Sequence, residues 1–355
     1  MNEIKRRPTR RIQLGKLPIG GGAPVSIQSM LSVPTSDVKA ALEQIRALEK
    51  AGCQVIRFSV TDPNDAASIP VFKRETDLPL IADIHFDHRL ALAALEAGID
   101  GLRINPGNIG SREKVEAVVR AAAERSVPIR IGVNSGSLPK ELLARYGVSA
   151  EAMVEAALSH VRILEELNFE AIKISVKASH LPLMLASYRA LSQRVDYPLH
   201  LGITESGTLL SGSIKSALAL GILLSEGIGD TLRVSLTADP VEEVRVAKQI
   251  LQALELRKGL NIISCPTCGR TRINLLRLTQ EVEEALQGLA DEPLTIAVMG
   301  CAVNGPGEAR EADFGIAGGD GEGLVFARGE IVKKVPEAEL VPELLKLVKA
   351  RMEVE

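Results

Sequence analysis

Val55-Ile56-Arg57-Phe58-Ser59 reads as a strand with a cation at its centre. Side chains alternate faces along a strand, so Ile56 and Phe58 point one way and Arg57 points the other. The same grammar returns in Gly101-Leu102-Arg103-Ile104-Asn105, Pro128-Ile129-Arg130-Ile131-Gly132, Ala171-Ile172-Lys173-Ile174-Ser175 and Thr231-Leu232-Arg233-Val234-Ser235. In each, an apolar residue flanks the cation on either side and a small or polar residue follows. A series of such runs separated by helical stretches is the pattern of a parallel barrel.

Working outward, strand candidates fall at 25–30, 54–60, 80–86, 101–105, 129–133, 171–176, 199–203 and 231–236. Ala/Leu/Glu-rich helical stretches lie between them, and Gly, Pro, Asn and Asp punctuate the joins. Eight such units predict a (β/α)8 TIM barrel. The connection at 61–75 is weakly helical and carries two prolines, Pro63 and Pro70. Ahead of the barrel, residues 11–22 read as a hairpin plugging its floor. A break at Lys258-Gly259 divides the chain into residues 1–258 and a smaller α/β unit, residues 259–355. That unit is expected to hold strands at 260–264, 294–299, 323–327 and 331–335, and helices at 274–289 and 337–353.

Composition narrows the function. The 355 residues are 46% apolar and 25% charged, so the chain is long and apolar enough to bury a real core. Lys and Arg number 42 against 45 Asp and Glu, a net charge of -3, which argues against a general phosphate-backbone binder. Six Phe, three Tyr and no Trp leave little material for base-stacking platforms, so no nucleic-acid partner is expected. No stretch approaches the roughly 20 apolar residues of a membrane helix. The basic N-terminus is not followed by an apolar run, so no signal peptide is read. The four cysteines, Cys53, Cys265, Cys268 and Cys301, are too few for a disulfide scaffold and crowd the last third. This points to a reducing cytoplasm and a metal.

In the barrel the apolar residues must face the helices, so Arg57, Arg103, Arg130, Lys173 and Arg233 face the axis. Lys177 continues the face of Lys173, and Asp83 shares a face with His85. Unpaired buried cations are costly, and one Asp cannot balance five. A polyanionic ligand at the C-terminal ends of the strands explains the set, because guanidinium forks suit phosphate oxygens. The competing explanation pairs each Arg with a loop acid or places it in a wet layer at the mouth. His85 reads equally as a general acid, a phosphate contact or a hydrogen-bonded interior histidine. Glu205, in Gly202-Ile203-Thr204-Glu205-Ser206-Gly207, reads as a proton donor or as a charge complementing a helix N-terminus. Asn134-Ser135-Gly136-Ser137 offers amides to an anion or is an ordinary turn. Cys53 reads as inert core.

Cys265-Pro266-Thr267-Cys268 is a Cys-x-x-Cys turn, and Cys301 follows in a glycine-rich loop. A closed zinc site usually takes four Cys or His ligands, yet no second Cys-x-x-Cys exists and no His lies beyond His200. Three thiols lacking a fourth suggest an iron–sulfur cluster with one distinctive iron, where Glu308 could sit. Zinc remains the alternative, and with it a non-redox phosphate-binding barrel, such as a pterin-type synthase or lyase, whose zinc knuckle is structural.

Four stretches carry a family resemblance: Cys265-Pro266-Thr267-Cys268-Gly269-Arg270-Thr271, Met299-Gly300-Cys301-Ala302-Val303-Asn304-Gly305-Pro306-Gly307-Glu308, Gly202-Ile203-Thr204-Glu205 and Leu102-Arg103-Ile104-Asn105-Pro106-Gly107-Asn108. Together they resemble the 4-hydroxy-3-methylbut-2-enyl diphosphate synthases of the methylerythritol phosphate route, in their two-domain bacterial form. The resemblance implies reductive ring opening and dehydration of 2-C-methyl-D-erythritol 2,4-cyclodiphosphate. It implies a [4Fe-4S] cluster on Cys265, Cys268 and Cys301 with Glu308 on the fourth iron, and flavodoxin or ferredoxin as electron donor. Arg57, Arg103, Arg130, Lys177 and Arg233 fall on its phosphate-binding positions, with Asn134 and Ser235 beside them, and Lys177 fits better than Lys173. Thr204 and Glu205 match the turn near the reacting carbon, with Glu205 as proton donor, and Asn304 falls beside the cluster. A head-to-tail homodimer is also implied.

Overall fold

A computed structural model describes residues 4–301 and 309–353. The chain divides between Leu256 and Arg257 into two units, each with its own sheet and core. Asn304 and Glu308 lie outside the described residues.

In the first unit the cation-centred runs are strands. A short hairpin, β1 (Ile12–Leu14) and β2 (Leu17–Ile19), precedes β3 (Ser26–Met30), β4 (Val55–Ser59), β5 (Leu80–Asp83), β6 (Gly101–Ile104), β7 (Ile129–Asn134), β8 (Ile172–Lys177), β9 (His200–Leu201) and β10 (Thr231–Leu232). The last eight are hydrogen-bonded in the order β8-β7-β6-β5-β4-β3-β10-β9, and every pairing is parallel. A parallel bridge from Ile174 to Leu199 joins the two ends, so the sheet closes on itself. Ile56, Phe58, Ala82, Leu102, Ile104, Ile129, Ile131, Ile172 and Ile174 face outward into the main core against the helices. Their alternates therefore line the lumen.

The connection at 61–75 is a full helix, Pro63–Glu75. The Asp62 carboxylate accepts hydrogen bonds from the Asn64 and Asp65 amides, and Pro63 occupies the first turn, where its missing N–H costs nothing. Ile69 and Phe72 bury its inner face, which outweighs the break at Pro70. The hairpin does plug the floor: Ile12, Leu14 and Ile19 pack with the lumen-facing Val55 and Ile81. Glycine is required at 101, because a Cβ there would lie 2.6 Å from Leu14 Cδ1.

The second unit is a five-stranded sheet, β11 (Asn261–Ser264), β12 (Thr295–Met299), β13 (Phe314–Gly318), β14 (Glu322–Ala327) and β15 (Glu330–Pro336), in sequential order. The first three are parallel and the last two antiparallel. Helices Leu275–Ala285 and Leu340–Met352 bury Leu278, Val282, Leu344 and Val348 against it. The central strand β13 was not among the expected strands. Its two glycines hide it, yet Gly315 is needed there, since a Cβ would lie 2.3 Å from the Phe326 ring.

Candidate active site

The lumen-facing positions converge at the C-terminal ends of the barrel strands. Register pairs Asp83 with Arg103, Arg103 with Arg130, Arg130 with Lys173, and Asn134 with Lys177. Arg103 is buried, donating to Asp83 at 3.1 Å and to the Gly132 carbonyl at 3.2 Å. Gly132 leaves room for it, because a Cβ would come within 2.6 Å of Arg103 Nε. Arg57 lies 3.7 Å from Asp83 and donates to the Met30 sulfur at 3.1 and 2.7 Å. Arg130 is buried with Nε and Nη1 lacking any partner among the described residues. Lys177 is also buried and makes no hydrogen bond or ion pair among the described residues. Asn134, Thr204 and Ser235 are half-buried at the same ends of their strands.

Electrostatics shows how little of this charge is balanced. Burial drives Lys177 and Arg130 well below their ordinary values, and the neighbouring cations push the same way. Arg57 falls to about 10, chiefly through burial, with Arg233 and Arg103 opposing its charge and Asp83 supporting it. Burial alone would raise the Asp83 carboxyl, but Arg57, Arg103 and Arg130 together hold it below the usual carboxylate range. A cluster of cations strained in this way is arranged to receive negative charge.

Arg233 is the exception, and its partner was not anticipated. Glu243, buried in helix Pro240–Ala253, accepts from Arg233 Nε at 3.2 Å and Nη2 at 3.1 Å. It also accepts from the Ser29 hydroxyl and the Leu236 amide, each at 3.1 Å. An acid in the first turn of a helix is ordinarily read as dipole complementarity, so nothing in the sequence marked Glu243 as a clamp.

Two predicted residues lie apart from the buried set. β5 ends at Asp83, and His85 beyond it is exposed, its ring 6.0 Å from that of the exposed Phe86. Glu205 is exposed, with no hydrogen bond or ion pair among the described residues. Its φ of 52° is the left-handed conformation, which a non-glycine residue adopts at a cost. That turn presents the carboxyl at the rim.

In the second unit, parallel pairing of Ser264 with Val298 carries Cys265 and Cys301 off the same edge of the sheet. The Cys265–Thr271 turn docks on the loop after β12. Gly300 N–H donates to Cys265 Sγ at 3.1 Å, and Arg272 N–H donates to the Gly300 carbonyl at 3.2 Å. Cys268 is exposed, and hydrogen bonds from Arg270 and Thr271 lower its thiol. Among the described residues, however, no three His, Cys, Asp or Glu side chains are gathered into a preformed cation site. Cys53, by contrast, is core: burial pushes its thiol up to about 11.

A closed parallel barrel with a mouth full of unbalanced cations, joined to a sheet unit with a thiol-bearing edge, defines a barrel enzyme for an anionic substrate. Residues 9–248 match the GcpE TIM-barrel domain and residues 261–350 match the GcpE protein C-terminal domain. The chain belongs to the GcpE family, the 4-hydroxy-3-methylbut-2-en-1-yl diphosphate synthases. The 4-hydroxy-3-methylbut-2-en-1-yl diphosphate synthase (flavodoxin) of Geobacter sulfurreducens is 63% identical over 339 residues, covering 95% of this chain and 96% of the relative. That of Clostridium perfringens is 56% identical, covering 97% and 99%. Among solved structures, the N-acetylneuraminic acid synthetase of Leptospira borgpetersenii superposes with a TM-score of 0.51 at 15% identity, covering 71% of this chain and 91% of that one. The dihydropteroate synthase of Yersinia pestis does so with 0.51 at 13%, covering 70% and 100%. At such identities the likeness is one of barrel fold alone. Among the described residues no helix is long and apolar enough to cross a membrane.

Proposed function

We propose that this enzyme opens the ring of 2-C-methyl-D-erythritol 2,4-cyclodiphosphate reductively and expels water, giving (E)-4-hydroxy-3-methylbut-2-enyl diphosphate. The observation that carries the reading is the buried Arg130 guanidinium, whose Nε and Nη1 have no partner among the described residues, in the same lumen as the buried Lys177 of a near-full-length family member. A compact diphosphate supplies the charge they lack.

Arg57, Arg103, Arg130, Lys177 and Arg233 grip the phosphate oxygens, with Asn134 and Ser235 bonding beside them. Glu243 holds the Arg233 fork in plane, and Asp83 does the same for Arg103. Asp83, His85 and Thr204 border the carbon skeleton. Glu205, held at the rim, gives its proton to the hydroxyl that departs as water. Binding closes the mouth cations around the phosphates and displaces water from them, which strengthens each contact.

Cys265, Cys268 and Cys301 would hold a [4Fe-4S] cluster, with Glu308 on its fourth iron and Asn304 beside it. Support comes from the donor chemistry: three thiols on two docked loops, one already accepting a backbone N–H, as cluster-binding sulfurs do. When bound, the cluster supplies the electrons and an iron with an exchangeable position. The relatives' names point to flavodoxin as the donor, with ferredoxin as a substitute of the same kind. We assign a cytoplasmic location, which keeps the thiols reduced. We also assign a head-to-tail homodimer, in which one subunit's thiol edge serves the other's barrel.

The test is anaerobic purification followed by metal analysis and assay with reduced flavodoxin. About four irons and four sulfides per chain are expected, with conversion of the cyclic diphosphate. Zinc in place of iron, or no conversion by iron-loaded protein, overturns the reading.

A further inference from the structure

Met30 is the last residue of β3, which lies between β4 and β10 in the barrel. It is in register with Arg57 on β4, and Arg233 follows the end of β10 on its other side. Ile27 faces the helices and the Ser29 hydroxyl donates to Glu243 of the helix behind, so Met30 shares the lumen with the two arginines. Its sulfur accepts from Arg57 Nε at 3.1 Å and Nη2 at 2.7 Å, and from Arg233 Nη1 at 3.5 Å. Each guanidinium also has an acid beside it: Asp83 lies 3.7 Å from Arg57, and Glu243 lies 3.1 Å from Arg233. Two acid-held forks thus converge on one thioether, which is a weak acceptor where two cations favour a strong one.

Exposure also sets Met30 apart. Met153, Met184 and Met299 are buried in the cores. Among the described residues only Met30, at the mouth, and Met352, at the end of the last helix, are half-buried. Met30 is therefore the methionine of the barrel that a small solute reaches most readily, and it sits against two cations assigned to the phosphates.

We propose that Met30 is a site of reversible oxidation by peroxides, and that its sulfoxide weakens phosphate binding at the mouth. The inference rests on the reading that Arg57 and Arg233 grip phosphate oxygens. The thioether sulfur attacks one oxygen of hydrogen peroxide. An S–O bond forms, the O–O bond breaks, and the proton of the attacked oxygen passes to the departing hydroxide, which leaves as water. Sulfur is oxidised and the peroxide is reduced by the same electron pair. The new oxygen is a strong acceptor, and it arises beside guanidinium groups already aimed at the sulfur. It engages their N–H donors before a phosphate arrives. Methionine sulfoxide reductases, drawing on a dithiol, return the thioether and release water.

The test treats the full chain with hydrogen peroxide, maps it by peptide mass spectrometry and titrates it with inorganic pyrophosphate by calorimetry. Oxygen is expected on Met30 ahead of the buried methionines. Pyrophosphate affinity should fall about tenfold, the worth of one charge-assisted hydrogen bond, and return after methionine sulfoxide reductases and dithiothreitol are added. An unmodified Met30 under conditions that oxidise Met352 overturns the proposal. Met30→Leu separates the thioether from the cysteine thiols: whatever its starting affinity, peroxide should not change it, and the same fall in this variant overturns the assignment to Met30. Should that variant not fold, Met30→Gln, which carries an amide oxygen in place of the sulfoxide's, must show weakened binding without peroxide; wild-type affinity there overturns the proposal. A chain that binds no pyrophosphate before treatment overturns the phosphate reading of the mouth, and this inference with it. Equal binding before and after oxidation of Met30 overturns the inference alone.

Discussion

At the barrel mouth the donors are carried by strands and gripped from the side: Arg103 by Asp83 and Gly132, Arg233 by Glu243, Arg57 against Met30. At the edge of the second sheet they are carried by loops. Cys268 is exposed, Cys265 and Cys301 are half-buried, and the thiols form no ready-made cation site among the described residues. The barrel holds Arg103, Arg233 and Arg57 in place before ligand arrives through these contacts. The thiol edge is tied down by a few backbone hydrogen bonds, and no cation site is preformed among the described residues, so the arrangement of its thiols must come from what it binds. One site is preorganised and its ligand relieves strain. The other is completed by its ligand.

The largest effect should come from the loop-borne site. Cys301→Ser is expected to drop turnover to background and to lower iron content after anaerobic purification. Pyrophosphate binding to the barrel, measured by calorimetry, should stay within about twofold, because the barrel cations are held by residues of their own unit and share no partner with the thiols among the described residues. Loss of pyrophosphate binding in this variant would break the comparison, since the barrel would then depend on the thiol edge.

Arg130→Met sharpens the preorganised side. It removes a buried cation while keeping its volume, so affinity for the cyclic diphosphate should fall about a hundredfold or more. The ligand-free protein should gain stability, because an uncompensated charge leaves the interior. Thermal denaturation without ligand separates the two effects. Equal or lower Tm would mean that Arg130 is satisfied in the free protein and the mouth is not strained. A smaller loss is expected from Gly202→Ala. Its Cβ would lie 2.5 Å from Lys177 Nζ and 2.9 Å from the Arg233 carbonyl oxygen. The lysine head and the backbone that carries Arg233 must both yield, weakening substrate binding about tenfold, the worth of one charge-assisted hydrogen bond. Unchanged affinity would show that neither Lys177 nor Arg233 acts from its present position.

The two regions also differ in how well the sequence announces them. Alternation placed all eight barrel strands and the phase of Arg57, Arg103, Arg130 and Arg233, because a buried parallel strand must read apolar on its outer face. The helix Pro63–Glu75 was faint because its signals are a cap and a first-turn proline rather than periodicity. β13 was invisible because glycines demanded by Phe326 erase the strand signature. Glu243 could not be read either: only folding brings it against β10, and local pattern carries no trace of a contact made across the barrel wall. The cysteines were legible as chemistry but not as geometry, which fits a site whose arrangement is finished by its ligand.

The smallest change in turnover, and the finest test of the strained mouth, is Asp83→Asn. The carboxyl is buried against Arg57 and Arg103, and its pKa is depressed in the folded chain. A depressed carboxylate binds fewer protons folded than unfolded. Its stabilisation is therefore complete above the unfolded value, about 3.9, and is lost as pH falls through the lower folded value. At about pH 7 the variant should be less stable by about 3 kcal/mol, the scale for breaking a buried charge pair. Urea denaturation repeated at about pH 4 and then about pH 3 should show the gap closing as the wild-type carboxylate protonates. A gap that persists unchanged at the lowest pH would mean that Asp83 acts through shape alone, and the arginines would then need another counter-charge in the free enzyme. A gap that closes makes Asp83 the acid that partly balances the mouth, and leaves the rest of the positive charge to the phosphates.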